Sequence, residues 1–359
     1  MTATEIWRMG ANPVPFVKTA DFARRFEASG RDGFAVAEAA GIIPDPYAVL
    51  ALAASATTTL GLGTAVAVPL CHPMIAATGI ASIQATSGGR ARFGIGRGDS
   101  AVKVLHQEPM PVAEFERYLQ RLRGYLSHTD VDLDGSPTSM ARLPAVDPSL
   151  DAARPPVDVA ATGPRMLDVA VRLADGVVIS VGADVERLRN SIRLVEEAAA
   201  AAGRDLAEIE LGCYVQMAVI GPGDESGREA IRGITLTHAR FSGFGPRPAR
   251  DDVSEADHRE YRHAVETMET VLRSARGGIV RREGGRPGEI DFYPREAASN
   301  ELIDRFGIVG SGEYCAERLQ EIIDLGFKRV MIGTHTVGVD LQERNTDRIA
   351  REVLSLIRR

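Results

Sequence analysis

Short apolar runs of β character alternate with stretches whose apolar residues recur at helical spacing, and the alternation repeats eight times along 359 residues. The runs are EIWRMG at 5–10, GFAVAEA at 33–39, LGLGTAVAVP at 60–69 and ARFGIG at 91–96. PVDVAAT at 156–162, GVVISVG at 176–182, EIELGCYVQMAVI at 208–220 and RVMIGT at 329–334 complete them. Between them lie helical stretches. Phe16, Ala20, Ala23 and Phe26 predict an apolar face, an Asp-Pro start predicts a helix from Asp45 to about Ala56, and PMIAATGIASIQATSG ends at Gly88. Further helices are expected over 112–126, over 184–202 with Gly203 as its stop, over GEYCAERLQEIIDLG, and over LQERNTDRIAREVLSLIRR.

Two segments interrupt the rhythm. The polar, Pro-rich stretch 129–156 reads as a surface loop, and 224–300 as an elaborated loop after strand seven. Eight β–α units predict a (β/α)8 TIM barrel formed by one domain over 1–359. A doubly wound open sheet fits the same alternation, but the count of eight and the uniform composition favour the barrel.

Composition narrows the function. The net charge of −7 gives no reason to expect nucleic acid or an anionic membrane as partner. No apolar run is long enough to span a bilayer, and the first residues show no basic-then-apolar leader. Cys71, Cys213 and Cys315 are far apart and form no metal or disulfide spacing, so a cytoplasmic protein with reduced thiols is expected. The seven histidines show no ligand spacing either, so no metal site is read.

Chemistry concentrates where strands end. The stretch GRARFGIGRGDSA at 89–101 lacks the Gly-Lys-Ser/Thr of a phosphate loop and the third glycine of a dinucleotide fingerprint. Its Arg-Gly-Asp triplet carries no adhesion meaning in a chain without a leader. It follows strand four, at the barrel end where active sites lie, and its glycines admit a flat ligand to the backbone. Arg97 and Asp99 then stand at the mouth; a tight turn with solvated charges is the alternative. In ATGPRMLDVA, Thr162 and Gly163 precede Pro164 at a first helical position, with Arg165 adding charge, which offers unpaired N–H groups to an anion. Thr162 is read as a cap or a phosphate donor, and an ordinary capped helix start is the alternative. In GTAVAVPLCHP the proline marks a bulge, and His72 is read as a structural loop histidine.

LGLGTAVAVPLCHP, SGGRARFGIGRGDSA, VAATGPRMLDVAVRLADGVVIS and IVGSGEYCAERLQEIIDLGFKRVMI fall in order over most of the chain. In that combination the sequence resembles the luciferase-like barrel enzymes, and most of all their coenzyme F420-dependent branch. The resemblance implies a non-prolyl cis peptide at Ala65–Val66 in a strand-three bulge that backs the deazaflavin ring. It implies that Gly96, Arg97, Gly98 and Asp99 line ring and substrate, and that Thr162, Gly163, Pro164 and Arg165 hold the cofactor phosphate. Ser180 and Gly182 then line the cofactor after strand six.

The departures matter. Relatives often end strand two with Asp-His, but the matching pair here is Glu38-Ala39, so that histidine is missing and Asp99 and Glu38 become the candidates for a proton step. The lysine that grips sugar phosphate in the glucose-6-phosphate enzymes matches Ala183, which argues against that substrate. The resemblance implies hydride transfer between deazaflavin C5 and a small organic substrate, in an enzyme that forms a homodimer. An FMN-dependent monooxygenase of the same fold and a non-catalytic flavin-binding barrel are the rival readings. Arg240, Arg247 and Arg250 are read as part of a solvated insertion, and His335 as a loop histidine.

Overall fold

A computed structural model describes residues 3–10, 14–41, 43–98, 100–103, 105, 107–151, 153–224, 227–228, 231–232, 235, 238, 280–281, 290–291, 299–334 and 339–358. The chain folds as a (β/α)8 barrel. Its parallel strands are β1 (Glu5–Gly10), β2 (Gly33–Val36), β3 (Gly61–Ala67), β4 (Ala91–Ile95), β5 (Val157–Ala161), β6 (Gly176–Ile179), β7 (Glu210–Val219) and β9 (Arg329–Gly333). A further strand, β8 (Gly307–Gly310), is absent from the sequence reading and adds to β7. The main helices are α1 (Thr19–Ala28), α2 (Pro46–Ala56), α3 (Pro73–Ser87), α4 (Val112–Leu126), α5 (Pro164–Leu173), α6 (Val185–Ala202), α7 (Gly312–Ile323) and α8 (Val339–Glu352). Among the described residues no helix is long and apolar enough to cross a membrane.

By its internal packing the chain divides into two compact units. One comprises Gly10–Val177 and Glu197–Glu210. Within it β2 pairs with β3, β3 with β4 and β4 with β5, all parallel. Both faces of these strands are covered: all four residues of β2 and all five of β4 are buried. Phe22, Phe26 and Phe34 form an aromatic cluster with ring centroids 5.3, 5.8 and 6.1 Å apart. The buried face of α1 is Thr19, Phe22, Ala23 and Phe26; Phe16 lies before the helix in a 3-10 turn and is exposed, which corrects the face expected from its spacing.

Helix starts follow their local chemistry. The Asp45 carboxylate accepts from Ala48 N at 2.8 Å ahead of Pro46, and His72 Nδ1 accepts from Met74 N at 3.2 Å ahead of Pro73. His72 is therefore a helix cap. The stretch expected to be loop over 129–156 contains a hairpin, Val131–Leu133 against Ser136–Thr138. Its turn residues Asp134 and Gly135 have φ of 54° and 90°, the left-handed pair that an Asp-Gly hairpin turn requires.

The second unit comprises Met1–Met9, Val178–Glu196 and Leu211–Arg359. Here β7 forks. Its residues 212–216 pair with β9 and residues 216–219 with β8, so Gln216 partners both Gly333 and Gly307. The β9 strand also pairs with β1, Glu5 opposite Arg329. Most of the 224–300 insertion lies outside the described residues; within it Val280–Arg281 and Ile290–Asp291 pair antiparallel.

An ion network closes the strand-start end of the first unit. Arg92, second in β4, holds Asp158, second in β5, through two bonds of 2.5 and 3.0 Å, and reaches Glu210, first in β7, at 2.5 Å. Gly176, first in β6, leaves room for it: a Cβ there would stand 2.2 Å from Asp158 Oδ1. The arginine and Asp158 are buried, so each needs the other to offset desolvation.

Candidate functional site

The site begins with the bulge in β3. Its register against β4 shifts between Thr64 and Ala67, and the Ala65–Val66 peptide is cis. Around the bulge the main-chain groups find partners on both sides. Val66 O accepts from Glu38 N at 3.2 Å, Ala67 O from Gly96 N at 3.0 Å, and Val68 N donates to Glu38 Oε2 at 2.7 Å. Thr64 Oγ1 donates to Gly94 O at 2.7 Å.

The bulge explains the glycines of β4 and its loop. A Cβ on Gly94 would lie 2.2 Å from Thr64 O, and one on Gly96 would lie 3.2 Å from Val66 Cγ2. Gly98 has φ +83°, and a Cβ there would meet Val102 at 2.6 Å. Gly94 and Gly98 are therefore required by the chain's own packing, without any ligand, whereas at Gly96 the Val66 side chain would have to give by a few tenths of an ångström. Arg97 Nε donates to Met110 O at 2.5 Å while Met110 N donates back to Arg97 O, so Arg97 ties the loop to the segment ahead of α4. Asp99 lies outside the described residues.

Glu38 follows β2 and is half-buried. Burial pushes its carboxyl up from the usual carboxylate range, the Val68 N–H pulls it down, and nearby Asp45 pushes it up again. Around it stand three groups that the sequence reading missed: Tyr47, Cys71 and Tyr118. Burial raises the Tyr47 phenol first and the charge of Glu38 adds to the effect. The surrounding protein shields the Cys71 thiol and, with Glu38, pushes it up, although the residue as a whole is exposed. Burial likewise raises the Tyr118 phenol, which neighbours Cys71. No motif links these positions; only the docking of α2 and α4 around the end of β3 gathers them.

The helix start at 162–165 carries no side-chain cap on its N-cap residue. Pro164 opens α5, its N-cap is Gly163, and a Cβ on Gly163 would meet nothing within 4 Å. Thr162 stands one residue ahead of the N-cap position, which Gly163 takes. Arg165 is exposed beside the first turn, where the N–H groups and helix dipole favour an anion.

In the second unit Ser180 and Gly182 follow β6. Gly182 has φ +77°, and a Cβ there would lie 2.6 Å from Phe306 O and 3.0 Å from His238 Cβ. His238, buried, has Nδ1 3.5 Å from Ser180 O and its ring 5.2 Å from that of Tyr214. Tyr214 in turn bonds Gln216 on the same face of β7. This buried His-Tyr-Gln group was also invisible in the sequence, because His238 sits in an insertion with no motif. Among the described residues no three His, Cys, Asp or Glu side chains gather as a metal site.

The luciferase-like monooxygenase family model matches residues 1–329. The 5,10-methylenetetrahydromethanopterin reductase of Methanolobus tindarius is 24% identical over 325 residues, covering 89% of this chain and 91% of the relative. Among solved structures, the coenzyme F420-dependent tetrahydromethanopterin reductase of Methanopyrus kandleri superposes with a TM-score of 0.72 at 20% identity, covering 99% of this chain and all of the other. An F420-dependent secondary alcohol dehydrogenase, solved with an F420–acetone adduct, superposes with a TM-score of 0.68 at 16% identity, with both chains covered in full.

Proposed function

The chain belongs to the luciferase-like monooxygenase family, and from that membership we propose that it is a coenzyme F420-dependent oxidoreductase. When bound, the deazaflavin supplies or accepts a hydride at its C5, and a small organic substrate is the other party. The observation that carries this reading is the β3 bulge at Ala65–Val66, held on one side by Glu38 and on the other by Gly96. It gives the mouth of the barrel a fixed apolar ledge. Solved structures named for F420 match nearly the whole chain, which supports the choice of cofactor.

The residues then take these tasks. Ala65 and Val66 back the ring, and Gly96, Arg97 and Gly98 bound the same pocket from β4. The bare helix start at Gly163, with Pro164, Arg165 and the Thr162 hydroxyl, holds the phosphate. Its fit rests on the open space in front of Gly163 and the uncapped first turn. Ser180 and Gly182 line the cofactor from β6. Asp99 and Glu38 are the two carboxyl groups from which a proton step would draw. Free Cys71, Cys213 and Cys315 suit a reducing cytoplasm. A homodimer is supported by α2 and α3, which carry no charged residue along their length yet expose Ala51 and Ile75.

Titration of the purified protein with F420 and, separately, with FMN tests the reading. The expected result is saturable F420 binding, followed by bleaching or recovery of F420 absorbance with an alcohol, imine or unsaturated carbonyl substrate. Tight binding of FMN with none of F420 would sink it in favour of a monooxygenase. F420 binding without turnover across such a substrate panel would leave a barrel that only carries the cofactor.

A further inference from the structure

We infer that Glu38 is a positioning residue, which grips the β3 bulge at two points and so fixes the ledge on which the ring rests. The ring's place on that ledge rests on the proposed cofactor; the grip itself does not.

The argument is an accounting of main-chain groups. The register of β3 against β4 skips residues 65 and 66, resumes at Ala67 opposite Ile95, and ends there. Val66 O is taken by Glu38 N, Ala67 O by Gly96 N, and Val68 O by Leu70 N at 2.7 Å. The Val68 N–H is taken by a side chain, Glu38 Oε2, at 2.7 Å. Val68 is buried, 4% exposed, so this N–H has no easy recourse to water. Glu38 thus supplies both the donor for residue 66 and the acceptor for residue 68. Two attachments on alternate residues just past the bulge fix the rotation of the chain there as well as its height. Such a task needs an acceptor of the right reach. It does not need a proton, and it does not need the histidine that relatives often place next along the chain.

Glu38→Gln separates the two roles, because the amide oxygen can accept from Val68 N while the group can no longer donate a carboxyl proton. Hydrogen exchange of the peptide spanning 61–70, measured without cofactor, reads the grip directly. In Glu38→Ala that exchange should quicken, and F420 affinity should weaken, each about tenfold, as expected when a buried N–H loses its only acceptor. In Glu38→Gln both should stay within about threefold of the parent. The inference is overturned if Glu38→Ala leaves the exchange unchanged, or if Glu38→Gln is as impaired as Glu38→Ala. It is equally overturned if Glu38→Gln keeps its F420 affinity but loses kcat by about a hundredfold, the mark of a proton donor. Should Glu38→Ala not fold, Glu38→Asp keeps the acid but shortens its reach, and wild-type exchange in that variant overturns the inference. Failure of the parent protein to bind F420 would remove the cofactor reading alone, since the exchange experiment still decides the grip.

Discussion

Gly94 and Gly163 look alike in the sequence, each a glycine near the end of a β run, but the fold uses them in opposite ways. Gly94 is absent of a side chain because Thr64 O already occupies the space, 2.2 Å from where a Cβ would be. Gly163 faces nothing within 4 Å. Gly94→Ala should therefore destabilise the protein by about 1–3 kcal/mol, seen as a lower midpoint in thermal or urea unfolding. Gly163→Ala should cost less than about 1 kcal/mol, the usual range for an N-cap exchange, yet weaken F420 binding measurably. The sequence reading covered both glycines, Gly94 within the strand-four stretch and Gly163 after strand five. It did not show what each glycine faces, because that depends on a carbonyl thirty residues away or on its absence. The same limit hid Tyr47, Cys71 and Tyr118, whose neighbourhood exists only after α2 and α4 have docked.

Among elements, α1 is tied to the loop entering β3 by one carboxylate. Glu27 accepts from Thr58 N, Thr59 N, Thr59 Oγ1 and Leu60 N at 2.8, 2.6, 2.9 and 2.9 Å. Burial pushes its pKa up, but these hydrogen bonds outweigh it and leave the group at about 2, below its ordinary 4.5. A carboxyl depressed in the folded state stabilises above its unfolded pKa and loses that contribution as pH falls through the folded one. Stability should thus decline between pH 4.5 and about 2 by an increment that Glu27→Gln removes, read as a shallower acid limb in unfolding midpoints against pH. The β–α rhythm was legible because period and turn chemistry are local: β1, α4 and the start of α5 stand at the residues their patterns predict. The hairpin at Asp134-Gly135 carried its signal in plain view and was passed over amid polar residues. The β8 strand had too little to show, four residues of which two are glycine.

For the molecule as a whole, the count of alternating units and the uniform composition favoured the barrel over a doubly wound sheet that fits the same alternation, and the barrel is what the chain forms. Assembly is the property that follows least from counting. Helices α2 and α3 lack the polar outer face that α1 and α4 display, and Ile75 is 64% exposed on α3. Light scattering should give twice the monomer mass for the parent protein and the monomer mass for Ile75→Lys, a charge that a dry interface rejects. A parent protein that scatters as a monomer would remove the dimer.

The ion network around Arg92 has one more implication. The β4 strand carries Arg92 near its start and Gly94 and Gly96 toward its end, so what keeps the strand in place and what shapes the mouth are only a few residues apart yet chemically independent. Divergence can rewrite the rim while the floor stays as it is. For an engineer this makes the molecule a chassis: new catalysts are to be sought by grafting loops beyond Gly96, with Arg92, Asp158, Gly176 and Glu210 left untouched.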